Sequence, residues 1–174
     1  MNYTYNDHLQ SNRLSTRFLT AEDTEAWSHF FKDQEAVQYF PDLGISDPAE
    51  RATHWIQKQL GRYHEKRFGL QALIDKKTNE FVGQCGLLLQ EVDEITEVEV
   101  GYHIFKKYWG QGYAPEAAKL FLNYAFQNKF TESVISIIDI RNTKSQRVAE
   151  KNNLAREKQT RWNNLDVFIY RITA

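Results

Sequence analysis

A chain of 174 residues is long enough for one domain with a proper core, and at 41% hydrophobic and 26% charged it has the make-up of an ordinary globular protein. With 22 basic against 23 acidic residues it lacks the net positive charge that nucleic-acid binders use. A single cysteine, Cys85, excludes an intramolecular disulfide and a cysteine-rich metal site, and the five histidines show no metal-ligand spacing, so no metal is expected.

The N-terminal stretch MNYTYNDHLQSNR is polar and does not read as a signal peptide. Nothing approaches a membrane span in length. The expectation is a cytoplasmic protein with neither nucleic acid nor membrane as partner. No repeat, low-complexity tract or linker interrupts the chain, so residues 1–174 read as a single domain.

Residues 13–19, RLSTRFL, predict a first strand. Thr20 with Asp23 resembles a capping box ahead of the helix TEAWSHFFK. After the less regular QEAVQYFPDLGIS, a helix is expected from SDPAERATHWIQKQLGRYHEK, with Ser46 or Asp47 as cap and Pro48 in the first turn. Residues 68–75 and 81–90 flank the turn KKTNE and predict an antiparallel hairpin. Residues 96–105 form a third strand, with Glu97 and Glu99 on one face and Val98 and Val100 on the other. A helix follows over PEAAKLFLNYAFQN, then an apolar strand at 133–140. A helix capped by Asn142 comes next, and two strands around WNNLD close the chain. The order β-α-α-β-β-β-α-β-α-β-β is an α+β arrangement in which an antiparallel run feeds a β-α-β unit.

Between the third strand and its helix lies KKYWGQGYAPEAA, residues 106–118. Gly110 and Gly112 there admit two explanations. They can serve a tight turn alone. They can also let a ligand approach the main chain where the unpaired N–H groups and dipole of the following helix favour an anion, most often phosphate. The Walker pattern is absent. The dinucleotide pattern is absent too, because Pro115 stands where its third glycine belongs.

EVGYHIFKKYWGQGYAPEAAKLFLNYAF resembles motif A of the GNAT superfamily, the acetyl-CoA-dependent N-acyltransferases, usually written Gln/Arg-x-x-Gly-x-Gly/Ala. Lys107-Tyr108-Trp109-Gly110-Gln111-Gly112 carries the pattern, with Lys107 in place of Gln or Arg, and Tyr113-Ala114 follow. NTKSQRVAEKNNL, residues 142–154, resembles the later motif N-x-x-S-x-x-x-x-x-K-x-G-F. Asn142, Ser145 and Lys151 match it, and Asn153-Leu154 replaces Gly-Phe. The likeness runs from about Arg13 to the end and is nearest the branch of ribosomal-protein N-terminal alanine and serine acetyltransferases.

The resemblance implies a mostly antiparallel twisted sheet, splayed at its centre and flanked by helices. It implies acetyl-CoA as co-substrate and an amine acceptor: a protein N-terminus or a small molecule such as a polyamine, amino acid or antibiotic. The pantetheine arm would lie along the splayed strand, where backbone groups of Tyr102, His103 and Ile104 can bond it. The pyrophosphate would sit on N–H groups from Trp109 through Gly110, Gln111, Gly112 and Tyr113 to Ala114. Lys107, Asn142 and Lys151 complete the expected cofactor contacts. Glu99 is the first candidate for the base that neutralises the amine, and Glu97 the second. Alternation alone would also make these two a solvated strand face. Many family members carry a tyrosine seven residues after the motif asparagine. Here that position is Ala149, and Ser145 is the candidate to protonate the leaving thiolate, against a plain helix-surface serine.

Cys85 reads as a buried small side chain. Trp55, Tyr63 and Phe68 are core or line an acceptor groove, and His103 touches substrate or decorates a strand face. A non-catalytic acyl-CoA-binding module on the same scaffold is the competing function. The oligomeric expectation is a monomer or a homodimer.

Overall fold

The computed structural model describes residues 5–174. Its elements are β1 (Leu14–Phe18), α1 (Asp23–Lys32), α2 (Gln34–Val37), α3 (Pro48–His64), β2 (Leu70–Asp75), β3 (Phe81–Val92), β4 (Ile95–Ile104), a single 3-10 turn at Lys106–Tyr108, α4 (Tyr113–Gln127), β5 (Ser133–Asp139), α5 (Thr143–Lys151), β6 (Ala155–Trp162) and β7 (Leu165–Thr173). The first four residues, part of the polar N-terminal stretch, lie outside the described portion.

Local chemistry explains most boundaries. Asp47 caps α3 by accepting the Glu50 N–H at 2.8 Å, with Pro48 in the first turn, where its missing N–H costs nothing. Of the expected capping box before α1, the Asp23 carboxylate reaches back to the Thr20 N–H at 2.8 Å, and the helix starts at Asp23. A short helix, α2, stands in the segment expected to be irregular, because Asp33 caps it by accepting the N–H groups of Glu35 and Ala36. Asn142 caps α5 through the Ser145 N–H at 3.1 Å. Past the end of α5, Asn153 adopts the left-handed conformation (φ 63°) that a glycine takes in the family motif. Asn163 and Asn164, both at positive φ, make the two-residue turn that pairs Trp162 with Leu165.

The seven strands form one sheet in the order β1-β2-β3-β4-β5-β7-β6. Every neighbouring pair is antiparallel except β4–β5. β3 and β4 pair over ten residues, but β4 and β5 share only Glu99↔Ile135. Beyond that pair the sheet opens. This is the arrangement the resemblance implies: a mixed, mostly antiparallel sheet, split between its two parallel strands.

Alternation along β4 assigns its two faces. Val98, Val100 and Ile104 join the core built with Ala117, Phe121 and Leu122 of α4. His103 instead meets Phe30 of α1, Phe40 and Trp55 of α3. A second core of Trp27, Phe30, Phe31, Ala52 and Ile56 fixes α1 and α3 on that side. Burying Phe30 and Phe31 stabilises this packing by about 2 kcal/mol each. Helix α4 therefore covers one face of the split, and α1 and α3 cover the other.

Candidate active site

The opening between β4 and β5 widens into a cleft of about 1060 Å³ that reaches from α3 to α5. That is at the upper end of the range of small-molecule sites.

The glycine turn forms one wall. Gly110 (φ 76°) and Gly112 (φ 79°) both occupy the left-handed region. A β-carbon on Gly110 would meet no protein atom within 4 Å, so the space before it is open to a ligand. None of the N–H groups of Gly110, Gln111, Gly112, Tyr113 and Ala114 donates to a backbone carbonyl among the described residues. The Trp109 N–H does donate, to the Lys106 carbonyl at 3.0 Å. The expected cradle of N–H groups thus begins one residue later, at Gly110. The turn is tied down from outside the cleft: Arg13 donates to the Gln111 carbonyl at 2.8 Å and to Glu116 of α4 at 2.7 Å. These donors, at a helix N-terminus, suit a phosphate or pyrophosphate.

Side chains in this wall play smaller parts. Lys107 points to Glu80, 3.4 Å away, and does not line the cleft. The Gln111 amide folds back on the Lys107 carbonyl at 3.2 Å. Trp109 lines the cleft and fixes its own position by donating Nε1–H to the Ile104 carbonyl at 2.8 Å. On α5, Asn142, Ser145 and Lys151 face the cleft together, joined by Lys144 and Arg147. Lys144 lies over the Trp109 ring at 4.3 Å and pairs with Glu35 at 2.7 Å. Lys106 also binds Glu35, and the two ammonium groups hold that carboxyl down to about 2.

The split supplies the reactive middle. The Phe105 N–H donates to the Val82 carbonyl on β3, while the Val100 carbonyl accepts from Ser136 Oγ of β5 at 3.3 Å. Because main-chain direction alternates, the N–H groups of Tyr102 and Ile104 face the opening. Those of His103 face β3 instead, so of the three residues expected to bond an extended ligand, His103 has its backbone turned away. Its ring lines the cleft on the opposite side, where burial pushes its pKa down to about 4.

Glu99 sits at the split itself. It is 8% exposed, so its face is no solvated strand surface. It accepts from Gln90 Nε2 at 2.8 Å and from the Ile137 N–H at 3.4 Å. Burial raises its pKa above the ordinary carboxylate range, opposed by those hydrogen bonds and by Arg62. A carboxylate raised in this way holds a proton more readily than an exposed one, which suits a general base. Glu97 is in a different position. Arg171 grips both its oxygens, at 2.6 and 3.0 Å, and it does not line the cleft. With both oxygens held by the guanidinium and neither facing the cleft, the second candidate is a structural tie between β4 and β7.

On the other face of β4, Tyr102 and Ser145 meet. Ser145 Oγ donates to Tyr102 Oη at 3.0 Å, and Tyr102 Oη donates to the Ser145 carbonyl, also at 3.0 Å. Burial pushes the phenol up to about 12, which keeps it protonated. Ala149, where many family members carry a tyrosine, is buried in the core. Sequence reasoning considered only the backbone of Tyr102 and missed its phenol. The signal was strand parity: Tyr102 lies on the face opposite Glu99. Cys85 is buried on β3 and its thiol is pushed up by burial, consistent with a packing role. Trp55 belongs to both of its alternatives, packing among the aromatics while lining the cleft, whereas Phe68 is core. Tyr63, partly buried, packs against the α1–α3 core and does not line the cleft.

Among the described residues no three His, Cys, Asp or Glu side chains are placed to hold a metal ion, and no helix is long and apolar enough to cross a membrane.

Comparison with known proteins agrees with this geometry. YkkB of Bacillus subtilis (strain 168), an uncharacterized protein, is 32% identical over 165 residues, 93% of each chain. Mycobacterium smegmatis RimJ, solved in complex with CoA-disulfide, has the same fold at a TM-score of 0.77 and 20% identity, covering 92% of this chain and 82% of that one. RimL, a ribosomal α-N-protein acetyltransferase solved in complex with coenzyme A, has it at 0.73 and 15%, covering 94% and 95%. The model of the acetyltransferase (GNAT) domain matches residues 13–154, most of the chain, and with the split sheet and its glycine turn this shows that the protein belongs to the GNAT family of acetyltransferases.

Proposed function

We propose that this acetyltransferase acts on an N-terminal α-amine of a peptide or protein, by direct attack on acetyl-CoA in a ternary complex. The observation that carries the reading is the placement of two kinds of group on opposite faces of β4 at the split: Glu99 toward α3, the Tyr102–Ser145 hydroxyl pair toward α5. The glycine turn lies on the α4 and α5 side, so acetyl-CoA comes from there and the amine from the α1–α3 side.

Each residue then has one task. The N–H groups of Gly110 to Ala114 hold the pyrophosphate. The Tyr102 N–H, on the open edge of β4, polarises the thioester carbonyl. Glu99 takes a proton from the ammonium form of the acceptor. The neutral nitrogen forms its bond to the acetyl carbon as the carbon–sulfur bond breaks. The hydroxyl pair gives a proton to the departing thiolate and is restored, through solvent, by the second proton that the nitrogen loses as it becomes an amide, and Glu99 returns its own to solvent. An α-amine, titrating near about 8, asks little of such a base, whereas a lysine amine at about 10.4 asks more. RimL, by its name an α-N-protein acetyltransferase, supports the same acceptor class.

Two measurements test this. Calorimetry should show acetyl-CoA and CoA binding that Gly110→Trp abolishes, since a side chain there enters the open space before the turn. Mass spectrometry of peptides incubated with acetyl-CoA should show acetylation at a free N-terminus and none when the N-terminus is blocked but a lysine is present. Acetylation of the lysine alone, or of polyamines alone, would overturn the acceptor class.

A further inference from the structure

The acceptor side of the cleft carries a feature that reaction chemistry does not require. Arg51, Trp55, Lys58 and Arg62 follow one another on α3 at spacings of four, three and four residues, and all four line the cleft. Such spacing puts them on one stripe of the helix. The neighbouring stripe, Ala52, Ile56 and Gln59, is buried against the sheet.

The three cations have no acidic partner within ion-pair distance among the described residues. Arg51 stacks on the Phe31 ring at 4.8 Å, and Arg62 donates to the Gln59 amide oxygen at 3.1 Å. Burial and the nearby guanidinium groups lower the pKa of Lys58. Two of the other carboxylates in the cleft are already paired with cations: Glu35 with Lys106 and Lys144, and Asp139 with Arg141. Asp42, exposed and bonded to the Gly44 N–H, and Glu99, buried at the split and felt by Arg62, are the remaining negative groups. Unpaired cations brought together on one wall repel each other, and an anionic ligand relieves that repulsion. A polycation would add to it.

The length of the stripe narrows the ligand. From Arg51 to Arg62 the helix rises about 17 Å. A free amino acid spans a fraction of this, while an extended peptide covers it with about five residues. Arg62 marks the end nearest the base, so the first residues of a peptide would lie there and later ones would run toward Arg51.

From these observations we infer that the acceptor is a peptide N-terminus followed by acidic residues, bound through its carboxylates along the Arg62–Lys58–Arg51 stripe with Trp55 packing against its backbone. This rests on the α-amine reading given above and adds the sequence class of the acceptor.

The test uses three peptides with the same first residue: one continuing with Asp and Glu, one with Asn and Gln, one with Lys. Initial rates are read for the whole protein and for Lys58→Gln, Arg62→Gln and the triple variant that also carries Arg51→Gln. Thermal melts and acetyl-CoA calorimetry confirm that each variant is folded and binds cofactor. The expected order of kcat/KM is acidic over amide over basic, with acidic and amide separated on the order of tenfold. Each single variant should narrow that ratio by about threefold, the worth of a half-exposed ion pair, mainly through KM, and the triple variant should bring it near one. Raising ionic strength should narrow it in the wild type as well. Equal turnover of acidic and amide peptides, or variants that slow both alike, would overturn the inference and leave the α-amine reading standing. Turnover of free aspartate or glutamate in preference to any peptide would overturn the peptide assignment. Absence of turnover with every peptide, despite acetyl-CoA binding, would bring down the α-amine reading itself and this inference with it.

Discussion

The two walls of the cleft are made of different materials. The glycine turn presents backbone N–H groups, and its side chains mostly turn elsewhere: Lys107 to Glu80, Gln111 to the Lys107 carbonyl. The α3 wall presents side chains on a regular helix whose backbone is fully used by its own hydrogen bonds. A backbone site is specified by a few positions that must be glycine, and it binds a group common to every reaction of the family. A side-chain wall can change residue by residue without disturbing the fold. On the proposed reading one wall serves the cofactor and the other the acceptor, and mutations should separate them.

The largest effect is expected where the walls meet. Glu99→Gln keeps an acceptor for the Gln90 amide and removes the base, so kcat should fall about 100-fold or more with acetyl-CoA affinity little changed. In the wild type, kcat/KM should rise with pH along a limb set above the ordinary carboxylate range, because burial raises Glu99. That limb should vanish in the variant. Stability should follow with a defined sign. A carboxyl whose folded pKa is raised contributes stability below its unfolded pKa and loses it as pH rises through the folded one. The wild type should thus lose melting temperature relative to Glu99→Gln as pH rises from the ordinary carboxylate value through the raised one. A pH–rate profile unchanged by Glu99→Gln would remove Glu99 from the chemistry.

The sequence made the cofactor wall legible and the acceptor wall nearly illegible, for the same physical reason. Gly110 and Gly112 have few residue types that could replace them at φ 76° and 79°, and Asn142 caps its helix through local contacts. Short-range rules suffice for such positions. The fold followed because strand periodicity and caps agreed with each other along nearly the whole chain. Glu97 and Glu99 were indistinguishable by alternation, since what separates them is Arg171, 74 residues from Glu97, and the point where β4 and β5 part. The Tyr102–Ser145 pair joins residues 43 apart, beyond any local pattern. The cations of α3 were visible in the sequence among acids such as Glu50, but which of them face the cleft depends on how the helix sits on the sheet.

A middling effect is expected on the α5 side of β4. Tyr102→Phe should lower kcat about tenfold, less than loss of the base, because a thiolate is a competent leaving group even without a proton. Ser145→Ala should cost about threefold, since the Tyr102 hydroxyl keeps its other bond, to the carbonyl of residue 145. With the phenol at about 12, neither the wild type nor Ser145→Ala should show an alkaline limb below that region. Steady-state rates across pH check all three statements. A larger loss for Ser145→Ala than for Tyr102→Phe would reverse the assignment and make the serine the immediate donor.

The smallest effect tests the claim that the cofactor wall works through its backbone. Lys107 occupies a motif position where the family usually has Gln or Arg, and a positive charge three residues before the cradle invites the idea of a direct bond to phosphate. Its ammonium instead lies 3.4 Å from Glu80 and 4.6 Å from the centre of the Tyr108 ring, and the lysine does not line the cleft. Its carbonyl, which any residue supplies, is the group that meets Gln111. Lys107→Ala should therefore leave the calorimetric Kd for acetyl-CoA within about twofold and cost less than about 1 kcal/mol of stability, the scale of an exposed ion pair. Were the affinity to fall tenfold or more, the lysine would have to swing into the cleft when cofactor binds, and the division into a backbone wall and a side-chain wall would fail at this residue. If it holds, the tolerance of this position for Lys, Gln or Arg has a simple cause: the turn needs a residue whose main chain continues the 3-10 turn, and the side chain is free to serve the surface.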